Sequence, residues 1–275
     1  MNPAASHSSA MNQPGSILYL THGGGPWPLL GEPRHQELIA FLTSVPQRLI
    51  APEAIVVISA HWEEEEVSLT GSARPEMLYD YYGFPEESYT IDYPAPGQPQ
   101  LAGEVAEILR QQGVAAHVDP RRGYDHGCFV PLKLMYPAAG IPCIQVSLLA
   151  DLDPERHLRL GEALGALRRE GVLFLGSGSS FHNLGSFREP PGGPSRKSNE
   201  AFDSWLTTTI CDGALNEAER RNRLLHWSEA PAARFSHPRE EHLLPLHVCY
   251  GIAGGPAREA FSMEMMHKRV SAFLW

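Results

Sequence analysis

Ile17-Leu18-Tyr19-Leu20-Thr21-His22, Ile55-Val56-Val57-Ile58-Ser59-Ala60-His61 and Val172-Leu173-Phe174-Leu175, followed by Gly176-Ser177-Gly178-Ser179-Ser180-Phe181-His182, share one plan. Each is a short apolar, β-rich run that leads within a few residues to a histidine. Unbroken apolar runs of this length read as strands covered on both faces, the habit of a parallel sheet. Ile144 to Leu148 is a further such run, and Val114 to Val118 a shorter one. Between them lie helical patterns over residues 34–49, 98–112 and 154–169, the last with Asp153 as cap and Pro154 in its first turn. More helical patterns follow near 198–211, 215–226 and 240–250, and residues 261–274 read as one or two strands. Alternating strands and helices predict an α/β fold: a single domain whose central, mostly parallel or mixed sheet is covered by helices on both faces. Ligands in open α/β sheets bind outside the carboxyl ends of the strands. The histidines at 22, 61 and 182 fall there, so a metal site is expected at that edge.

The chain has 275 residues, with 22 Lys+Arg against 32 Asp+Glu, a formal charge of −10. A phosphate-backbone partner needs a basic face, so no nucleic acid is expected, and docking on an anionic membrane is disfavoured for the same reason. No apolar run approaches the length of a bilayer span. The first residues, MNPAASHSSAMNQPGS, carry neither the basic nor the apolar segment of a secretory signal. Residues 1–15 are therefore expected to be a disordered tail, with one catalytic domain over 16–275. Cys128, Cys143, Cys211 and Cys249 are scattered without a CxxC pair, which fits a reducing, cytoplasmic setting. A monomer or small homo-oligomer is the expected state.

The unusual number is 13 histidines. Imidazole is the commonest metal ligand and the usual proton shuttle near neutral pH. Besides the three at strand ends, His126 follows Tyr124-Asp125, and His237 and His242 flank Pro238-Arg239-Glu240-Glu241. His7, His35, His117, His157, His226 and His267 read as structural or surface groups, and His247 as a core residue. Gly23-Gly24-Gly25 lacks the Gly-Lys-Ser/Thr ending of a phosphate loop. Gly176 to Ser180 fails the G-x-S-x-G pattern of a serine hydrolase. Residues 63–66 read as a solvated acidic loop, and the Pro/Gly-rich 188–196 as a mobile surface loop.

Taken together, Thr21-His22-Gly23-Gly24-Gly25-Pro26, Ile58-Ser59-Ala60-His61-Trp62, Tyr79-Asp80-Tyr81-Tyr82-Gly83-Phe84-Pro85, Tyr124-Asp125-His126-Gly127, Gly176-Ser177-Gly178 with His182-Asn183-Leu184, and His237-Pro238 with Glu241-His242 resemble the class III extradiol ring-cleaving dioxygenases, in the branch of the DOPA 4,5-dioxygenases. The resemblance implies an oxidoreductase that uses O2 to open a catechol ring, DOPA-like or a related catecholic acid, to a semialdehyde. It implies His22, His61 and His237 as metal ligands, with Glu240, Glu241 and His242 as rivals for the third place. His182 is implied as the acid/base histidine and His126 as a second pocket histidine. His242, Tyr81, Tyr82 and Phe84 are expected to line the substrate pocket. The segment from Tyr79 to Phe84, with Tyr89 and Tyr93, reads equally as a pocket wall or as a packed loop. Fe(II) is implied for turnover, with Zn(II) as an alternative occupant. Two other readings suit histidines at strand ends: a zinc-dependent hydrolase, and a non-catalytic metal-binding protein on the same scaffold.

Overall fold

The structure, a computed structural model, describes residues 15–168 and 171–275. Residues 1–14 of the expected tail lie outside the described residues. In chain order the elements are β1 (Ile17–Thr21), α1 (Gln36–Ser44), β2 (Ala54–Glu64), β3 (Val67–Thr70), α2 (Pro99–Gln111), β4 (Ala116–Asp119), α3 (His126–Met135), β5 (Cys143–Leu149), α4 (Pro154–Leu164), β6 (Val172–Gly178), α5 (Arg196–Cys211), α6 (Glu217–Leu225), α7 (Ala233–Ser236), α8 (Leu244–Ala253), β7 (Glu259–Met265) and β8 (Lys268–Leu274).

The strands form one eight-stranded sheet in the order β4-β3-β5-β2-β6-β1-β8-β7. Its centre, β5-β2-β6-β1, is parallel throughout. Antiparallel pairing of β3 with β5, and of β8 with β1 and β7, makes the sheet mixed. The apolar runs are buried because both faces are covered. Tyr19, Val56, Ile58, Val146 and Phe174 pack in one core with Val105, Leu158, Leu206 and Val248 from α2, α4, α5 and α8. The alternate residues Leu18, Leu20, Val57 and Leu175 pack in a second core with Leu38, Leu42 and Phe129 from α1 and α3. The single α/β domain expected from the apolar runs is what folds.

Local differences from the sequence reading have physical causes. The helix at 154–169 stops at Leu164 and tightens into a 3-10 turn over Gly165–Leu167. Strand β3 carries no signature in the sequence, because Val-Ser-Leu-Thr is too short to show a period. β2 runs on to Glu64, so His61 lies within a strand and not just past its end. Its register against β5 passes from Ile58↔Val146 to Glu63↔Leu148. β2 therefore bulges over residues 59–62 on that side, and such a bulge re-aims a side chain. The loop at 188–196 is tethered: the buried Lys268 ammonium lies 3.4 Å from Glu189, which also accepts the Ser195 hydroxyl. Among the described residues no helix is long and apolar enough to cross a membrane.

Candidate metal centre and active site

Two central strands and one helix start deliver the first side of the site. His22 directly follows β1, and its backbone N–H continues the ladder to Gly178 O at 3.1 Å. His61 comes from the bulge of β2. His126 opens α3, where Asp125 is the cap: its carboxylate accepts from Cys128 N at 3.2 Å, Ser59 Oγ at 2.8 Å, Gln145 Nε2 at 2.6 Å and Arg122 Nη2 at 3.2 Å. That buried carboxylate thus knots α3 to β2 and β5. Gly127 permits the close approach, since a Cβ there would lie 2.6 Å from Ser59 Oγ and 3.2 Å from the His61 ring.

The other side of the site comes from the two segments after β6 and α7. His182 N bonds Ser236 O at 2.9 Å. The carbonyl of His242 accepts from Ser179 N at 2.9 Å and from the Tyr19 hydroxyl at 3.0 Å. Gly178 makes this docking possible, because a Cβ there would sit 2.1 Å from that carbonyl oxygen.

Five imidazoles converge in consequence. Ring centroids of His22, His61 and His242 form a near-equilateral triangle with sides of 4.9, 4.9 and 5.3 Å. His126 lies 3.9 Å from His61 and 5.2 Å from His22. His182 stacks on His242 at 3.4 Å. A ligating ring nitrogen sits about 2.1 Å from its ion, so rings at tetrahedral or octahedral angles have centroids roughly 4.5–5.3 Å apart. The triangle meets that spacing. His182 and His242, stacked at 3.4 Å, are too close for both rings to radiate from one ion, while His126 also brings a ring nitrogen within 4.8 Å of those of His22 and His61.

Proton placement points the same way. Ser177 gives its hydroxyl proton to Gly127 O, so its oxygen accepts from His22 Nδ1 at 3.0 Å. A neutral His22 then presents a bare Nε2, and this atom lies 3.0 Å from Nε2 of His61. His126 donates Nδ1–H to Asp80 Oδ1 at 2.8 Å. His242 donates Nδ1–H to Glu241 Oε1 at 2.9 Å, and His182 Nδ1 lies 3.2 Å from the same oxygen. Anionic partners behind the rings leave Nε2 lone pairs available in front, the usual device for orienting metal ligands. Burial and mutual repulsion push His22, His61 and His242 well below the ordinary imidazole pKa, so they stay neutral and able to ligate. Three neutral nitrogens at ligand spacing are a donor set fit for a divalent transition metal.

His237 stands apart from this group. Its buried Nε2–H donates to Ser180 O at 3.0 Å, and its ring packs on Phe202 and Trp227 with centroids 5.3 and 6.0 Å away. Glu240 turns outward to Arg234 at 2.6 Å. Of these two histidines, His242 is the one whose ring lies beside His22 and His61. Of the aromatic residues, Tyr81 is edge-on to His126 at 5.8 Å and Phe84 is 5.2 Å from Tyr81. Tyr82 is 92 % exposed and away from that packing. Asp80, Ser177 and Asp125 carried no role in the sequence reading. The one local signal was Asp125, a carboxylate directly ahead of a helix start.

The chain matches the family described as the catalytic LigB subunit of aromatic ring-opening dioxygenase over residues 17–274. It belongs to that family. A dioxygenase named tasH from Hapsidospora irregularis is 40% identical, with 86% of this chain and 78% of that protein covered. The 4,5-DOPA dioxygenase extradiol of Beta vulgaris is 37% identical over 91% of this chain and 90% of its own. A crystal structure of an uncharacterized Escherichia coli K12 protein superposes with a TM-score of 0.73 at 25% identity, covering 94% and 99% of the two chains. LigB proteins are class III extradiol dioxygenases and depend on a metal, so an oxidoreductase acting on an aromatic substrate with O2 is the established class.

Buried histidines also make the fold acid-sensitive. Burial lowers His237 to about 3 and His247 to about 4. An unfolded histidine titrates near 6.5, so below that pH the unfolded chain binds the extra protons. Stability is fully present above about pH 6.5 and is lost as pH falls toward the folded values. Between pH 8 and 5 each of these two groups is expected to cost about 2 kcal/mol. Urea unfolding at both pH values measures the loss, and the substitution His247→Gln should remove about one group's share.

Proposed function

We propose that this LigB-family chain is an Fe(II)-dependent extradiol dioxygenase whose substrate is a catechol with a small acidic side chain, of the DOPA kind. The observation that carries the reading is the triangle of His22, His61 and His242 with two further imidazoles at its flanks. These three residues hold the ion. A bound ion would supply the charge that lowers a catechol hydroxyl's pKa and open places for the diol and dioxygen. His182 takes the remaining hydroxyl proton on Nε2 and later returns it. Glu241 stabilises the imidazolium through Nδ1, 3.2 Å away. His126 offers a second polar contact, and Tyr81 with Phe84 walls the ring's apolar face. The substrate class is supported by relatives named 4,5-DOPA dioxygenase extradiol.

The test is anaerobic loading with Fe(II), then air and a panel of catechols with acidic, amino-acid and neutral side chains. Expected are oxygen uptake equal to the ring opened and a yellow semialdehyde, fastest with the acidic members. Uptake with none of them, or equal turnover with Zn(II), overturns the proposal.

A further inference from the structure

Asp80 is the one carboxylate in the Tyr79–Phe84 segment, and it faces the histidines. Its Oδ1 accepts from both Nδ1 and the backbone N of His126, at 2.8 and 3.0 Å. Its Oδ2 lies 3.6 Å from Nδ1 of His61, within the reach of a charge pair but longer than a hydrogen bond. The side chain is only 17 % exposed. The neighbours of Asp80 are tied down as well: the Tyr79 hydroxyl donates to Ile91 O at 2.9 Å and the Tyr81 hydroxyl to Ser88 O at 2.6 Å. Leu78 N bonds Tyr124 O at 2.7 Å, so the segment runs alongside the approach to α3.

We infer that Asp80 is a positioning residue: it fixes His126 as the Nδ1–H tautomer with Nε2 toward the common centre, and it couples the aromatic wall to the histidine cluster. A carboxylate suits this place because it accepts only. An asparagine that keeps its oxygen on His126 turns an NH2 group toward His61 Nδ1. If it flips, that NH2 faces the two donors of His126 instead. Either way one contact opposes donor to donor. The inference deepens the proposed function by naming what holds the substrate-facing histidine, and it rests on that reading for its kinetic part alone.

The experiment uses the full chain loaded with Zn(II), which is diamagnetic, and 15N-labelled histidine. Two-bond 1H–15N correlations report each tautomer without any turnover. The Nδ1–H form is expected for His126 in the wild type, with the Nε2–H form growing in for Asp80→Asn and Asp80→Ala. With Fe(II) and an accepted catechol, kcat/KM should fall by about 10–100-fold, the larger share in KM because His126 no longer presents one fixed nitrogen toward the substrate. A wild-type His126 in the Nε2–H form overturns the inference without any variant. So does an unchanged tautomer in both variants, or a changed tautomer with KM and kcat intact. If the wild type opens no catechol, the proposed function fails, while the tautomers still decide the role of Asp80.

Discussion

The substitution His242→Ala is expected to remove the bound divalent ion and ring-opening turnover together, whereas His237→Ala keeps the ion. His242 closes the triangle with His22 and His61, whereas His126, whose ring nitrogen also comes within 4.8 Å of theirs, is held back on Asp80. The ring that remains nearest its place, His182, stacks on His242 and is held at Nδ1 by Glu241. His237 has different work. Its Nε2–H satisfies the Ser180 carbonyl two residues before His182. Removing it leaves a buried acceptor unpaired and a cavity beside Phe202 and Trp227, a cost of about 2–4 kcal/mol. Metal analysis after dialysis and urea unfolding separate the outcomes. An ion lost from His237→Ala and retained by His242→Ala would reverse the assignment.

The second large effect concerns His182. Both His182→Ala and His182→Phe should bind the ion at wild-type stoichiometry, yet turn over about 10²–10⁴ times more slowly, the usual worth of a positioned acid/base group. Phenylalanine is the stricter control, because a flat ring can still stack on His242 while offering no nitrogen. Loss confined to kcat with substrate affinity held marks proton transfer. A parallel loss of metal in His182→Phe would instead make the ring a ligand. Glu241 should matter through the same route: its carboxylate sits behind both His182 and His242, and burial does not neutralise it, because the hydrogen bond from His182 and the Arg239 guanidinium hold its pKa down. The negative charge is thus retained where an imidazolium forms.

Much of this architecture is legible in single apolar runs. Ile17 to Leu20, Ile55 to Ile58 and Val172 to Leu175 are strands because each carries consecutive residues that both faces of the sheet must bury. Their parallel alignment sets their carboxyl ends at one edge, so His22, His61 and His182 meet although they are far apart in the chain. Other parts leave no such trace. The bulge that aims His61 arises from pairing with β5, whose Val146 and Leu148, far along the chain, pair with Ile58 and Glu63. Asp80 and Glu241 are polar residues in irregular segments, where no period marks which way a side chain points.

The segment from His237 to His242 shows the boundary most clearly. The sequence motifs, through the family they resemble, implied that a histidine from this stretch, set between α7 and α8, would join those at the strand ends. Which of the two did so was decided by tertiary contacts. The His242 backbone is clamped to Ser179 and Tyr19 across the ends of β6 and β1, while the ring of His237 is drawn into an apolar recess and bonded to Ser180 O. Two histidines five residues apart in non-repeating backbone have no local rule for their direction. Long-range hydrogen bonds and packing supply it.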